Sequence, residues 1–164
     1  VQSFHRAGAS GLEFNIQSLE HHPGYVLAIA RQLWTRWGYA SVEATVSDVS
    51  RCDSDTLPVR LVASSRSRPI GIVNLIELNL PTHPHLRPWL AGLYVWPGHR
   101  RQGVGTALCA SLEKRARRLG FDRLYLYTQE AEPFYRRLGW STMEASEWEG
   151  AAVAIMDKVT APQV

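Results

Sequence analysis

A chain of 164 residues with 45% hydrophobic content fits one compact domain over residues 1–164, long enough to bury a sizeable core. Eighteen Lys and Arg against 15 Asp and Glu give a formal charge of +3, too mild to imply a nucleic-acid partner without a concentrated basic patch. Cys52 and Cys109 are too few for a disulfide framework, and no early basic-then-apolar segment or long apolar run reads as a secretory signal or membrane span, so a soluble cytoplasmic protein is expected.

Leu12 to Ile16 reads as a first strand. His22-Pro23-Gly24 leads into a helix on which Val26, Ala30, Leu33 and Trp37 share a stripe, with Gly38 as its stop. A shorter helix follows around Thr45 to Arg51. Leu57 to Ala63 and Ile70 to Leu78 are strand-like, and Ser64 to Pro69 between them reads as the loop of an antiparallel hairpin. Pro81 to Pro88, rich in proline and histidine, returns the chain to a strand at Trp89 to Trp96, which Pro97-Gly98 ends. From Gly103 onward Val104, Leu108, Leu112, Ala116 and Leu119 recur at helical spacing, and Gly120 stands where a left-handed cap belongs. Phe121 to Thr128 is a strand, Pro133 to Leu138 a short helix and Ala151 to Val159 a final strand. That alternation calls for a layered α/β arrangement in which helices cover a sheet.

Arg100-Arg101-Gln102-Gly103-Val104-Gly105 joins a strand to the long helix, and chemistry is expected at that junction. The first turn of a helix carries unpaired N–H groups and a partial positive charge, which together stabilise an anion. Glycine lets a phosphate approach without a Cβ in the way. The Gly-x-Gly spacing alone also fits a plain tight turn or a dinucleotide fold. Basic residues concentrate nearby, with Arg100, Arg101, Lys114, Arg115, Arg117, Arg118 and Arg123 set against Glu113 and Asp122. Lys114 to Arg118 read best as the solvated face of an amphipathic helix, whereas Arg100 and Arg101 belong to the phosphate seat.

A second signature, Phe134-Tyr135-Arg136-Arg137-Leu138-Gly139-Trp140, follows the next strand. With Arg100, Gly103 and Gly105 matching one motif and Tyr135, Gly139 and Trp140 another, the chain resembles the GCN5-related N-acetyltransferase (GNAT) family, most specifically over residues 58 to 158. The resemblance implies a mixed, mostly antiparallel sheet of about six to seven strands flanked by about four helices, splayed beside the strand at Trp89 to Trp96. It implies acetyl-coenzyme A as co-substrate, with no metal. Leu93, Tyr94 and Val95 would meet the pantetheine arm through strand backbone, and Arg100, Arg101, Gln102, Gly103, Val104, Gly105 and Thr106 the pyrophosphate.

The implied reaction is direct transfer of acetyl to a primary amine, on a small molecule or a peptide. It needs a neutral amine, a donor for the oxyanion and an acid for the departing thiolate. Backbone N–H near Leu93 serves the oxyanion. Tyr135 matches the family tyrosine that serves as acid, its other reading being packing of the short helix; Phe134 reads as core.

The base is not matched, because no acid occurs between Pro88 and Val95. Glu77 is the candidate, expected opposite roughly Ala91 and, among apolar neighbours, raised in pKa; its other reading is a strand-end acid facing solvent. His83 and His85 are rival bases, though each reads more simply as a loop residue and no nearby ligand set makes them a metal pair. Thr128 stands where many members carry asparagine. Trp89, Tyr94, Trp96 and the loop from Pro81 to Pro88 border the expected acceptor side. The competing reading is a non-catalytic acyl-coenzyme A binding or sensing module, nucleic-acid or membrane partners are not expected, and a homodimer stays open.

Overall fold

The computed structural model describes residues 4–7 and 11–160. Eight strands form one sheet in the order β1-β2-β3-β4-β5-β6-β8-β7. They are β1 (Phe4–Ala7), β2 (Glu13–Ser18), β3 (Val59–Ser65), β4 (Arg68–Ile76), β5 (Trp89–Val95), β6 (Arg123–Thr128), β7 (Ser141–Trp148) and β8 (Ala151–Val159). Every neighbouring pair is antiparallel except β5 and β6. A parallel pair needs a crossover, and the helix α3 (Val104–Arg118) supplies it. The mixed, mostly antiparallel α/β sheet is thus as expected, with the short outer strand β1 and the edge strand β7 beyond those read from the sequence.

The strands follow their residue patterns. In β2 the inward side chains alternate, Phe14, Ile16 and Ser18 being buried, the period of a strand covered on one face. β3 and β4 are buried almost throughout, because helices cover both faces of the sheet there. Their hairpin turns on Arg66 and Ser67, both at positive φ (48° and 60°), the conformation that a tight two-residue connection demands.

On one face lie the helices α1 (Val26–Trp37) and α2 (Val42–Ser50), where Ile29, Leu33 and Val49 pack with Val62, Ile72 and Tyr94. Gly38 ends α1 in the left-handed conformation, its N–H bonded to the Trp34 carbonyl, and Ser41 caps α2 by accepting from the Ala44 N–H. The other face carries α3 and α4 (Glu132–Arg137). Ala107, Leu108, Leu112 and Ala116 recur on its inward side and are buried against Leu61, Val73, Leu90, Leu124 and Met156. Each buried leucine contributes roughly 1.5–3 kcal/mol of transfer free energy, so this spacing fixes how α3 sits and hence where its N-terminus points.

A third cluster, Leu80, Leu86, Trp89 and Ile155, anchors the proline-rich loop. Between α3, α4 and β8, Lys158 Nζ donates to Glu113 Oε2 (2.7 Å) and to the Leu138 carbonyl (2.6 Å), and Trp140 Nε1 donates to Glu113 Oε1. No helix among the described residues is long and apolar enough to cross a membrane.

Candidate active site

The sheet opens at β5. Its only register with β6 is Trp89 opposite Tyr125, and past that point the two strands part. On the other side, β4 pairs Ile72 with Tyr94 and Asn74 with Ala91, so Val73 alone faces both Gly92 and Leu93. This β-bulge shifts the alternation by one residue. Leu90, Leu93 and Val95 therefore pack toward α3, while Tyr94 turns to the α1 face. Gly92 adopts φ +60°, and a Cβ there would stand 2.6 Å from Asn74 Nδ2, so no other residue fits without moving Asn74.

Past β5 the chain makes a 3-10 turn over Pro97–His99 and reaches α3 through a loop held by its own side chains. Arg100 Nε donates to the Val95 carbonyl at 2.9 Å, and its guanidinium lies 5.4 Å from the centre of the Tyr94 ring. Arg101 sits in the left-handed region at φ 59°, which costs a residue with a Cβ roughly 1–2 kcal/mol. Gln102 Nε2 donates to the Gly98 carbonyl. Gly103, at φ 82°, occupies the N-cap position of α3, and no side chain caps the helix there. The first turn of α3 thus presents backbone N–H groups and the positive end of its dipole.

These parts enclose a cleft of about 400 Å³. Leu93, Tyr94 and Val95 form its strand wall, and Arg100, Arg101, Gly103, Gly105 and Thr106 its loop and helix wall. Eight of the ten residues expected to hold the donor therefore meet in one place. Of the other two, Val104 is turned into the core at 1% exposure and Gln102 braces the turn. Arg36 and Trp37 at the end of α1 and Phe134 of α4 complete the lining. Trp37 meets Tyr94 edge-on, the ring centres 5.5 Å apart. A Cβ on Gly105 would lie 3.6 Å from Phe134 and 3.7 Å from Val95, so the missing side chain leaves the floor of the cleft open. Three guanidinium groups and no carboxylate line it, the electrostatics of a phosphate site.

Tyr135 is behind this wall. It is 7% exposed, its ring packed edge-on against Phe134 and Trp140. Burial, with a smaller effect from nearby Cys109, pushes its phenol above the ordinary value. Phe134, expected in the core, is the member of the pair that lines the cleft.

Glu77 requires a correction. β4 ends at Ile76 and its register brings Asn74, not Glu77, opposite Ala91. Glu77 is more than half exposed and ion-paired with Arg87 at 2.9 Å, outside the apolar surroundings expected for it. Asn74 is buried, its Oδ1 accepting from Arg60 Nη1 at 2.7 Å.

His83 is tied to β7 through Glu144 at 3.4 Å. Thr128 Oγ1 accepts from the Ala131 N–H and so shapes the entry to α4. Trp89 is fully buried, its Nε1 donating to the Leu86 carbonyl, so it is core and not an acceptor wall. On the basic face, Arg115 donates to the Ser54 carbonyl and Arg117 to the Thr160 carbonyl; both tie down neighbouring segments at the negative end of α3. Cys109 is buried, and burial pushes its thiol up to about 12, so it packs as a small residue on the inward side of α3.

Residues 26–140 match the Acetyltransferase (GNAT) family. Human N-acetyltransferase 8 is 29% identical over 101 residues, which is 61% of this chain and 44% of that protein, so the match spans less than half of that relative's length. Among solved structures, an aminoglycoside 6'-N-acetyltransferase complexed with coenzyme A superposes with a TM-score of 0.75 at 16% identity, over 91% of this chain and 98% of that one. The GNAT domain of S. lividans PAT superposes at 0.74 with 16% identity over 96% of both chains. At such identities the superpositions speak for the fold, and the family match over most of the chain, seated on the cleft just described, shows that this chain belongs to the GNAT acetyltransferase family.

Proposed function

We propose that the chain is a single acetyltransferase domain that moves acetyl from acetyl-coenzyme A to a primary amine by direct transfer. The observation that carries this reading is the meeting, in one cleft, of the parted edge of β5 with the glycine-opened N-terminus of α3. An extended ligand with two amides satisfies an unpaired strand edge as another strand would. Its diphosphate is stabilised by the helix terminus and by Arg36, Arg100 and Arg101. The space left by Gly105 admits it without a clash.

Direct transfer is supported by the state of the nucleophiles. Cys109 lies on the buried face of α3, its thiol pushed up to about 12, so it carries no acetyl group in the cycle. Tyr135, matched to the family tyrosine, is the acid for the departing thiolate in this reading; burial behind Phe134 raises the pKa of its phenol, so the role requires the donor's sulfur to reach past Phe134 to the hydroxyl. None of the lining side chains is a carboxylate or an imidazole. That lining supports loss of the acceptor's proton to water before attack, so that transfer follows the fraction of free amine, with His83 and His85 as rival bases outside it. The acceptor is a small molecule or a peptide; the aminoglycoside enzyme among the similar structures supports a small polar amine.

The test is thiol release from acetyl-coenzyme A across a panel of primary amines, with Tyr135→Phe beside the parent. Turnover should fall by about 100-fold in the variant while donor affinity stays within roughly twofold, and the acidic limb of the pH–rate profile should move with the pKa of each amine. Equal turnover removes Tyr135 as the acid. Donor binding with no thiol release toward any amine favours an acyl-coenzyme A sensing module.

A further inference from the structure

Arg60 is a cation in the interior, 6% exposed, spanning the space between β3 and α2. Its Nε donates to the Arg51 carbonyl, its Nη2 to the Asp48 carbonyl and to Asp48 Oδ2, both at 3.0 Å, and its Nη1 to Asn74 Oδ1 at 2.7 Å. With Oδ1 taken by the guanidinium, the Asn74 amide can be oriented only one way. Its Nδ2 donates to the Ala91 carbonyl at 3.1 Å. Ala91 is the last residue of β5 in register before the bulge. A buried charge is costly unless it is fully bonded, and a packed hydrocarbon would hold β3 against α2 as well.

We propose that Asn74, oriented by Arg60, is a positioning residue for acetyl transfer. It fixes the peptide between Ala91 and Gly92, and so aims the backbone N–H groups of the β5 bulge at the thioester carbonyl. In a planar trans peptide the C=O and N–H point oppositely. Clamping the Ala91 carbonyl toward Asn74 on β4 therefore turns the Gly92 N–H away from β4, toward the side where β6 has parted. Gly92 is confined with it, since Asn74 Nδ2 fills the place of its Cβ. A donor held before the reaction begins stabilises the developing oxyanion without reorganising, and the cation two hydrogen bonds away strengthens the field there. The inference rests on the acetyl-transfer reading.

Asn74→Asp tests it, because the carboxylate keeps the shape and the contact with Arg60 but cannot donate to the Ala91 carbonyl. We expect kcat to fall by about 10- to 100-fold, with KM for acetyl-coenzyme A and thermal stability little changed. The Gly92 and Leu93 amides should exchange with solvent about tenfold faster. Arg60→Lys, which keeps the charge but not the fork, should lower kcat in the same direction to a smaller extent. Unchanged kcat in Asn74→Asp, or parallel loss of donor affinity and stability, overturns the proposal. A parent protein silent toward every amine counts against the acetyl-transfer reading instead; amide exchange then still decides the clamp, and unaltered exchange in Asn74→Asp overturns it.

Discussion

A methyl group at Gly105 would make ordinary contacts with Phe134 and Val95 at 3.6 and 3.7 Å. A valine adds two further carbons, and with those walls already in contact they must project into the space proposed for the donor. Gly105→Val should therefore lower acetyl-coenzyme A affinity by about 100-fold while leaving thermal stability nearly unchanged, as calorimetric titration and melting would show. Wild-type affinity in a folded variant would remove the glycine from the binding site. This residue was legible in the sequence because helix start, glycine pair and arginines coincide within six positions, Arg100 to Gly105. Trp37 and Phe134 were not. Each belongs to an apolar stripe, and a stripe does not say which of its members sits at the rim: Trp37 is 37% exposed at the last turn of α1, while Leu33, one turn earlier, is 4% exposed. The informative detail was Arg36-Trp37-Gly38, an arginine and an aromatic beside a left-handed stop.

Strand ends and register decide which side chains enter the site. β8 was read to its observed ends, and Gly38 fixed the end of α1, because their apolar patterns stop at clear punctuation. β4 was read two residues too far along the chain, over Ile70 to Leu78 where the strand is Arg68–Ile76. Its apolar run continues through Leu78, yet the backbone leaves the sheet after Ile76, since Leu80 must turn inward to reach Leu86 and Trp89. That difference carries Glu77 out of the cleft and into its pair with Arg87. Glu77→Gln should accordingly leave the acidic limb of the pH–rate profile and kcat/KM within about twofold of the parent, as expected for an exposed pair; a flattened limb would restore it as the base. The bulge in β5 left a faint trace, Leu90 and Leu93 being three apart where a strand expects two or four, but the trace has meaning only once β4 fixes the register. β7 gave no trace. Its residues are mostly exposed and polar, so what makes it a strand is pairing with β8 across the turn at Glu149 and Gly150, both at positive φ.

Across the whole molecule, two weak acids are buried in their neutral forms within one core. The unfolded chain releases the Cys109 proton near pH 9, whereas the native protein holds it to about 12; Tyr135 is shifted in the same direction from about 10. The native state then binds more protons than the unfolded chain, so stability is full below pH 9 and declines as pH rises between those limits. The slope approaches about 1.4 kcal/mol per pH unit for each group. Denaturant melts at a series of alkaline pH values should show this fall, and Cys109→Ala should make it shallower; an unaltered slope would mean that the thiol is not the group responsible. The overall fold was the most legible level, since the alternation of strands and helices calls for a layered α/β sheet and the resemblance carried by the two motifs implied its mixed, mostly antiparallel form.

The edge-on contact of Trp37 with Tyr94 at the cleft rim gives the molecule an optical reporter of its own. Trp89 is sealed in the interior and should emit steadily, whereas the indole of Trp37 would change surroundings when the proposed donor fills the cleft it lines. Quenching of intrinsic fluorescence that is lost in Trp37→Phe would count occupied clefts without any label.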